Sequence, residues 1–395
     1  MKAVILAAGK GVRCLPLTAT RPKVLLPVAG TTILEHNLRQ LEGLVDEVII
    51  VVAYMKEMVE EVVGKKFGRL NIHYVEQKKM LGTGDALLQC KKLLDGRFIV
   101  LNGDDMYSRT DLKRCIREKY AILVQKVEDT SRYGIVTVKG SKVLDIEEKP
   151  THPKSSLANT GCYVLDTTIF EVRLKKSKRG EYEAVDYVRH VAENEHMTAV
   201  QVEDYWLSVG YPWHLLEANE FLLKRISKSI IRGKIERNVT VKGKLILGKG
   251  SLVKSGTYIE GPVIIGENCT IGPNAYVRPG TTIGNDCKIG NSTEVKNSII
   301  FNRSAVPHLS YIGDTIVGEH VNLGAGTTTA PLRFDGKEIK SVVQGEKIST
   351  GRRKFGAVIG DGAQTGIHVN LLPGVKIWPN VWIKPNETIY EDRME

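Results

Sequence analysis

The sequence predicts two architectures in one chain: an α/β domain built on a mostly parallel sheet, followed by a β-solenoid with a six-residue period. Two observations carry this. The first half alternates short apolar runs with amphipathic stretches, and the second half repeats an aliphatic residue at every sixth position. The chain has 395 residues, too many for one core and suited to two domains, expected at residues 1–228 and 229–395.

In the first half, Val4–Ala8, Val48–Ala53, Ile72–Val75, Phe98–Leu101 and Ile122–Val124 read as strands. Helical patterns lie between them, as in Ile33–Leu41 and Ala86–Leu94. Continuous Val/Ile/Leu strands separated by helices predict a sheet covered on both faces, with ligands gathering at the carboxyl ends of its strands. Tyr211–Ile226 reads as a two-helix packing element that links the domains.

The character changes near residue 235. From Leu247 the ladder runs Val253, Ile259, Ile265, Ile271, Val277, Ile283, Ile289 and Val295. Four positions beyond each rung stands a mostly small residue, from Ser251 and Thr257 to Cys287 and Thr293. Such a run arises by chance less than about once in a thousand trials. The period resumes at Ile359 and continues through Thr365, Leu371, Ile377, Ile383 and Ile389. Each short strand then buries one aliphatic and one small residue and turns, so three strands complete a coil, and coils stack at ~4.8 Å. Cys269 and Cys287 fall on adjacent coils and point inward. Pro331–Phe355 interrupts the period with a polar, lysine- and arginine-rich insertion.

The formal net charge is +11, which suits phosphorylated small molecules. No basic run is interleaved with aromatics, so nucleic acid is not an expected partner. No stretch approaches the ~18 apolar residues of a membrane span, so no membrane partner is expected. The six cysteines form no C-x-x-C pair, and reduced thiols in the cytoplasm fit a chain this long.

The opening strand runs into Ala8-Gly9-Lys10-Gly11-Val12-Arg13 and then Arg21-Pro22-Lys23. Two glycines let backbone amides approach a triphosphate, and Arg13 and Lys23 supply cations for charge developing at phosphorus. The run through Arg-Pro-Lys resembles the sugar-1-phosphate nucleotidylyltransferases, or pyrophosphorylases, and the likeness covers most of residues 1–228. It implies nucleotide binding by Ala8, Gly9, Gly11, Gln77, Gly82 and Thr83, with Arg13 and Lys23 catalytic. It implies Asp104, in Asn102-Gly103-Asp104, as a Mg²⁺ ligand, and Gly134, Glu147, Glu148, Lys149 and Asn159 as sugar-phosphate contacts. One departure stands out. Where that family usually has a second metal-binding acid, in a segment similar to Tyr205–Gly210, this chain has Ser208, and a hydroxyl is a poor substitute for a carboxylate on Mg²⁺. Either Asp104 and the substrate phosphates hold the metal alone, or this domain turns over slowly or not at all.

Repeats of this kind serve acyltransferases and inert domains alike, so individual residues decide. Ala305–Asp314 breaks the repeat and sets His308 and Tyr311 on a turn, beside Val321–Thr327. The intervals from Arg278 to Lys296, His308, Tyr311 and Asn322 resemble those in the acetyltransferase domain of bifunctional glucosamine-1-phosphate acetyltransferase/N-acetylglucosamine-1-phosphate uridylyltransferases of archaeal type. The resemblance implies a left-handed parallel β-helix assembled as a homotrimer or a multiple of one. An imidazole titrates near neutrality, so His308 suits deprotonation of a sugar amine. Arg278, Lys296, Tyr311 and Asn322 would hold the sugar phosphate, with Arg suited to bidentate contact. Gly324, Ala325 and Gly326 lack bulk and would admit the pantetheine arm of acetyl-CoA, with Arg352 and Arg353 near its phosphates. Lys354 joins Arg352 and Arg353 in this expectation, and for all three a solvated loop is an equal alternative. Pro331 stands where the family commonly has an Asn.

The expected function is bifunctional: acetylation of glucosamine-1-phosphate or a related amino-sugar phosphate from acetyl-CoA, and Mg²⁺-dependent transfer of a nucleotidyl group from UTP or dTTP with release of pyrophosphate. The alternatives are a nucleotidylyltransferase with a structural β-helix, and a non-catalytic nucleotide-sensing subunit.

Overall fold

Strands without a polar face need cover on both sides. Four of them, Lys2–Leu6, Glu47–Val52, Leu70–Glu76 and Arg97–Asn102, lie side by side in parallel in the computed structural model of the chain. They form the parallel heart of a ten-stranded sheet. The expectation of a mostly parallel sheet is corrected beyond that heart. Leu157–Asp166 inserts antiparallel between Arg97–Asn102 and Ala121–Lys126, and the hairpin Gly134–Lys139/Lys142–Glu148 extends the edge. Parallel neighbours need a crossover helix whereas antiparallel ones need only a turn, and no helix lies between residues 127 and 166.

The structure describes residues 1–177 and 180–395. They divide into two compact units: Met1–Lys10, Pro22–Leu25 and Ile33–Ser208 in the first, and Gly11–Arg21, Leu26–Thr32 and Val209–Glu395 in the second. Helices of the first unit are α1 (Ile33–Leu41), α2 (Lys56–Val63), α3 (Thr83–Gln89), α4 (Arg109–Arg117) and α5 (Ala184–Asn194). α1 matches its apolar spacing residue for residue. α3 begins ahead of the predicted Ala86–Leu94 and stops at Gln89, because the Cys90 amide bonds back to Leu87 and the chain tightens into a 3-10 turn at Lys91–Leu93.

In the second unit, α6 (Pro212–Lys224) is one helix, which corrects the two-helix reading of 211–226. Pro212 sits in its first turn, where a missing N–H costs nothing, and no glycine or proline interrupts it before Arg225. Beyond it, three eight-stranded parallel sheets are visited in rotation, one short strand at a time. The ladder Leu247 to Val295 is wholly buried, and so are the residues offset by four, including Cys269 and Cys287. The two thiols donate to Gly284 O and Phe301 O of the coil above.

Strand partners are 18 residues apart at Val263 and Thr281, 17 apart at Ile299 and Ile316, 42 apart at Val317 and Ile359, and 18 again at Val358 and Lys376. The residue lost from each 17-residue coil is at the corner leaving the third face. Tyr276 to Thr282 spans six positions, whereas Glu294 to Ile299 and Tyr311 to Ile316 span five. The expected break at Ala305–Asp314 is therefore corrected. Val306 and Ile312 keep the period and are buried, while His308 closes one strand and Tyr311 opens the next. The insertion folds as a hairpin, Lys340–Val343 with Glu346–Ser349, and buries Ile339, Val343 and Phe355.

Candidate functional site

In the first unit, strand Arg97–Asn102 runs into Gly103, whose amide donates to Leu6 O at 2.9 Å. A Cβ on Gly103 would stand 2.6 Å from that oxygen, so only glycine lets the strand end this close. Asp104 follows at the carboxyl end of the parallel strands, its side chain 42% exposed and its Oδ2 2.7 Å from Lys23 Nζ. Lys23 is itself nearly buried. Asp105 turns inward, and burial followed by the charge of Asp104 pushes its carboxyl up to about 7, against the opposing pull of Lys23 and of the Ser208 hydroxyl. Ser208 faces Asp105 across an antiparallel pair. The hydroxyl at 208 therefore serves a buried acid, and a carboxylate there would oppose Asp105 directly.

Among the described residues, no three His, Cys, Asp or Glu side chains converge into a metal cage. Mg²⁺ needs none, since one or two carboxylates plus substrate phosphates suffice. The partly exposed carboxylate of Asp104 fits that requirement.

Ala8 is buried, Gly9 is exposed, and a Cβ on Gly9 would meet nothing within 4 Å. Gln77 is buried and donates to Gly82 O and Asp85 Oδ2 at 3.0 and 2.8 Å. Gly82 has φ 107° and approaches Tyr182 O, while Thr83 Oγ1 accepts from the Ala184 amide at 3.0 Å. Gly134, Glu148 and Asn159 come together: a Cβ on Gly134 would lie 2.9 Å from Glu148 Oε2 and 3.6 Å from Asn159. Glu148 and Lys149 line a cavity of about 610 Å³ with Lys175, Lys176, Glu183 and Arg189. Glu147 is not brought there, because alternate strand residues face opposite ways, and it approaches Lys154 at 3.8 Å.

In the second unit, Gly11 takes the left-handed conformation with φ 63°. Its carbonyl accepts from Thr18 Oγ1 at 2.9 Å, and the Arg13 guanidinium lies 5.3 Å from the Tyr211 ring centre.

The third face of the stack carries the second candidate centre. Arg278, Lys296 and Asp314 leave successive strands at one corner, while His308 enters from the opposite corner of the same face. The His308 ring is exposed. Tyr311 lies along its strand over Gly313, where a Cβ would be 2.6 Å from the phenol oxygen. Burial, then the charges of Glu294 and Asp314, raise the Tyr311 pKa. Arg278 pairs with Glu294 at 2.8 Å and Lys296 with Asp314 at 2.7 Å. Asn322 is exposed on the second face, in register with Ala305 and Gln364.

Arg352 and Arg353 line one cavity of about 530 Å³ together with Arg278 and Lys296. Arg352, 14% exposed, is ion-paired, so the solvated-loop alternative is set aside for it. The glycines at 324 and 326 have an internal reason to be glycine. A Cβ on Gly324 would stand 2.4 Å from Gly366 O, and Gly326 has φ 77° with His368 beside it. Ala325 O accepts the His368 amide at 2.7 Å. Sequence reasoning missed Asn297, Asp314 and Glu220 at the cavity. The slip from six to five in the aliphatic ladder marks the corners of the first two, whereas nothing in the pattern marks Glu220.

A nucleotidyl transferase family model matches residues 2–225, and one for the GMPPB C-terminal domain matches residues 259–355. The chain is 42% identical over 386 residues to the bifunctional protein GlmU of Methanocaldococcus jannaschii, covering 97% of this chain and 93% of that one. It is 40% identical over 399 residues to a bifunctional sugar-1-phosphate nucleotidylyltransferase/acetyltransferase of Sulfurisphaera tokodaii, covering 99% and 98%. A crystal structure of a putative glucose-1-phosphate thymidylyltransferase from Bacillus anthracis aligns with TM-score 0.52 at 31% identity, over 58% of this chain and 98% of that one.

Proposed function

The chain belongs to the family of bifunctional GlmU-type sugar-1-phosphate nucleotidylyltransferase/acetyltransferases, and from that premise we propose that it acetylates glucosamine-1-phosphate and then transfers the product to a uridylyl or thymidylyl group. The observation that carries the reading is the third face of the stack, which the chain enters past an exposed imidazole at one corner and leaves past two ion-paired cations at the other.

In acetyl transfer, Arg278 and Lys296 hold the sugar phosphate and Tyr311 its hydroxyls, which turns the amine toward His308. The amine nitrogen attacks the thioester carbonyl of acetyl-CoA, His308 takes the amine proton, and the coenzyme A thiolate leaves and is protonated. Asn322 borders the same centre. Gly324, Ala325, Gly326 and Arg353 mark the proposed approach of acetyl-CoA along the stack.

In nucleotidyl transfer, an oxygen of the sugar phosphate attacks the α-phosphorus of the nucleoside triphosphate and pyrophosphate leaves, with no covalent enzyme intermediate. Mg²⁺, when bound at Asp104, supplies charge neutralisation at the phosphates. Lys23 and Arg13 offset the remaining negative charge. Gly9 and Gly11 offer backbone amides, Gln77, Gly82 and Thr83 frame the base, and Gly134, Glu148, Lys149 and Asn159 receive the sugar. A left-handed β-helix assembled as a homotrimer, in the cytoplasm, completes the reading. No helix of the described residues is long and apolar enough to cross a membrane.

The deciding test supplies acetyl-CoA, glucosamine-1-phosphate, Mg²⁺ and either UTP or dTTP, and follows free thiol and pyrophosphate. Both products are expected. Pyrophosphate without thiol release would reduce the protein to a nucleotidylyltransferase with a structural stack.

A further inference from the structure

The cavity at the third-face corner has a charge imbalance that its structural partners cancel only in part. Of the side chains lining it, six are Lys or Arg and two are carboxylates, Glu220 and Asp314, and with Glu294 on Arg278 and Glu217 on Arg352 counted a surplus of two positive charges remains. Such a surplus in a concave site favours an anionic ligand. Four polar groups close a ring at its mouth. Asn297 Nδ2 donates to Asp314 Oδ1 at 2.7 Å and to Glu220 Oε1 at 2.9 Å. Arg352 donates to that same Glu220 oxygen at 2.7 Å and stands 3.8 Å from Asp314. Lys296 binds the other oxygen of Asp314.

The two acids differ in freedom. Asp314 is 3% exposed and spends both oxygens inside the ring, so it is a fixed part of the wall. Glu220 is 30% exposed and stands on α6, where it offers one oxygen to two donors. Glu220 gives the Arg352 guanidinium its short carboxylate contact, with Glu217 and Asp314 farther off at 3.7 and 3.8 Å, and a partly exposed partner of this kind is exchanged for a phosphate at small cost, because charge-assisted geometry is kept.

We propose that Arg352 is a phosphate-binding residue held in reserve by Glu220, and that Glu220 competes with the ligand phosphate and so sets affinity for it. This rests on the reading of Arg278 and Lys296 as sugar-phosphate contacts and places Arg352 with them. The ligand class is a phosphomonoester of an amino sugar. When its phosphate arrives, Arg352 leaves Glu220, Asn297 keeps α6 tied to the corner, and Asp314 keeps Lys296 in place. No bond is made or broken.

The test is a pair of isosteric or near-isosteric variants that should act with opposite sign. Glu220→Gln keeps the shape and removes the competing charge. Arg352→Gln removes the cation. Inorganic phosphate and glucosamine-1-phosphate are titrated calorimetrically into the full-length wild type and each variant, and KM for acetyl-CoA is measured alongside. Glu220→Gln is expected to tighten both ligands about two- to fivefold. Arg352→Gln is expected to weaken both roughly tenfold or more. The double variant should match Arg352→Gln, and KM for acetyl-CoA should stay unchanged in all three.

A purely structural ring predicts loss in both single variants, and that result, or no change in either, overturns the proposal. If Arg352→Gln does not fold, the sign for Glu220→Gln decides alone. Phosphate titration requires no turnover. Opposite signs without acetyl transfer would uphold this anion site and sink the acetyltransferase reading. Acetyl transfer with same-sign variants would do the reverse.

Discussion

The two units carry their candidate phosphate-binding groups on opposite kinds of scaffold. In the first, candidate groups sit where strands stop: Asp104 after Arg97–Asn102, and Gly134 opposite Glu148 at the start of a hairpin. Each position has its own local cause, such as the approach of Gly103 to Leu6. In the second, every coil repeats its predecessor, and candidate groups sit where the repetition slips. Lys296, Asn297 and Asp314 occupy the two corners that are one residue short. A sheet end is irregular by nature and offers many places for chemistry. A regular stack offers almost none, so a deleted residue becomes the means of making one.

The sharpest way to break this comparison is to remove the imidazole. His308→Ala should lower acetyl transfer by about 10²–10⁴-fold and leave nucleotidyl transfer as it was, read as thiol and pyrophosphate release from one preparation. Equal loss of both activities would mean that the units do not divide the chemistry.

Packing gives the next largest effect. Ile289 is fully buried in the stack, and Ile289→Ala should cost about 2–5 kcal/mol. Coils touch only their neighbours, so hydrogen exchange should speed up around residues 271–306 and stay slow in the ten-stranded sheet. Uniform loosening of both units would contradict that local stacking.

Acidification probes one buried histidine of the first unit with an effect of about the same size. His36 is buried in the first unit, 3.3 Å from Tyr107 O and 3.1 Å from the Tyr205 hydroxyl. Burial pulls its pKa from 6.5 down to about 4. Between those values the unfolded chain binds the extra proton and the folded one does not. This contribution is therefore complete above pH ~6.5 and is lost as pH falls toward ~4, by an order-of-magnitude ~3 kcal/mol. In the stack, His308, His320 and His368 are exposed. Denaturant unfolding of the wild type and of His36→Gln at pH 7 and pH 4.5 should show the variant losing less stability on acidification; the difference between the two isolates His36 from buried Asp105, whose raised carboxyl pKa acts in the opposite direction.

The smallest effect tests how finely the third face is built. Gly313→Ala puts a methyl carbon where the Tyr311 ring lies. The ring must swing away, which should raise KM for the amino-sugar phosphate roughly tenfold, about 1.4 kcal/mol, with the circular dichroism spectrum unchanged.

What the sequence reveals also divides along this line. A six-step period names the buried residues of the stack directly, because inside and outside repeat with the coil. The step shortens to five at Val295 to Ile300 and again at Ile312 to Val317, which marks the corners at Asn297 and Asp314 without saying what chemistry they carry. In the first unit, Val/Ile/Leu runs identify the parallel strands but say nothing of neighbours, so the antiparallel insertion of Leu157–Asp166 is invisible. Lys23 and Asp104 are named from sequence, and the structure supplies their 2.7 Å contact. Glu220 lies in a stretch that reads from sequence only as helical packing between domains, since its contact depends on a residue 132 positions away.

The excursion at residues 331–355 has a consequence for how such proteins diversify. Two rungs separated by 42 positions stack as closely as rungs separated by 17. Lengthening a loop costs only logarithmically in closure entropy, so a lineage can lengthen, shorten or exchange this arm while every coil above and below keeps its partners. New recognition then becomes a matter of grafting, with the supporting column left unedited.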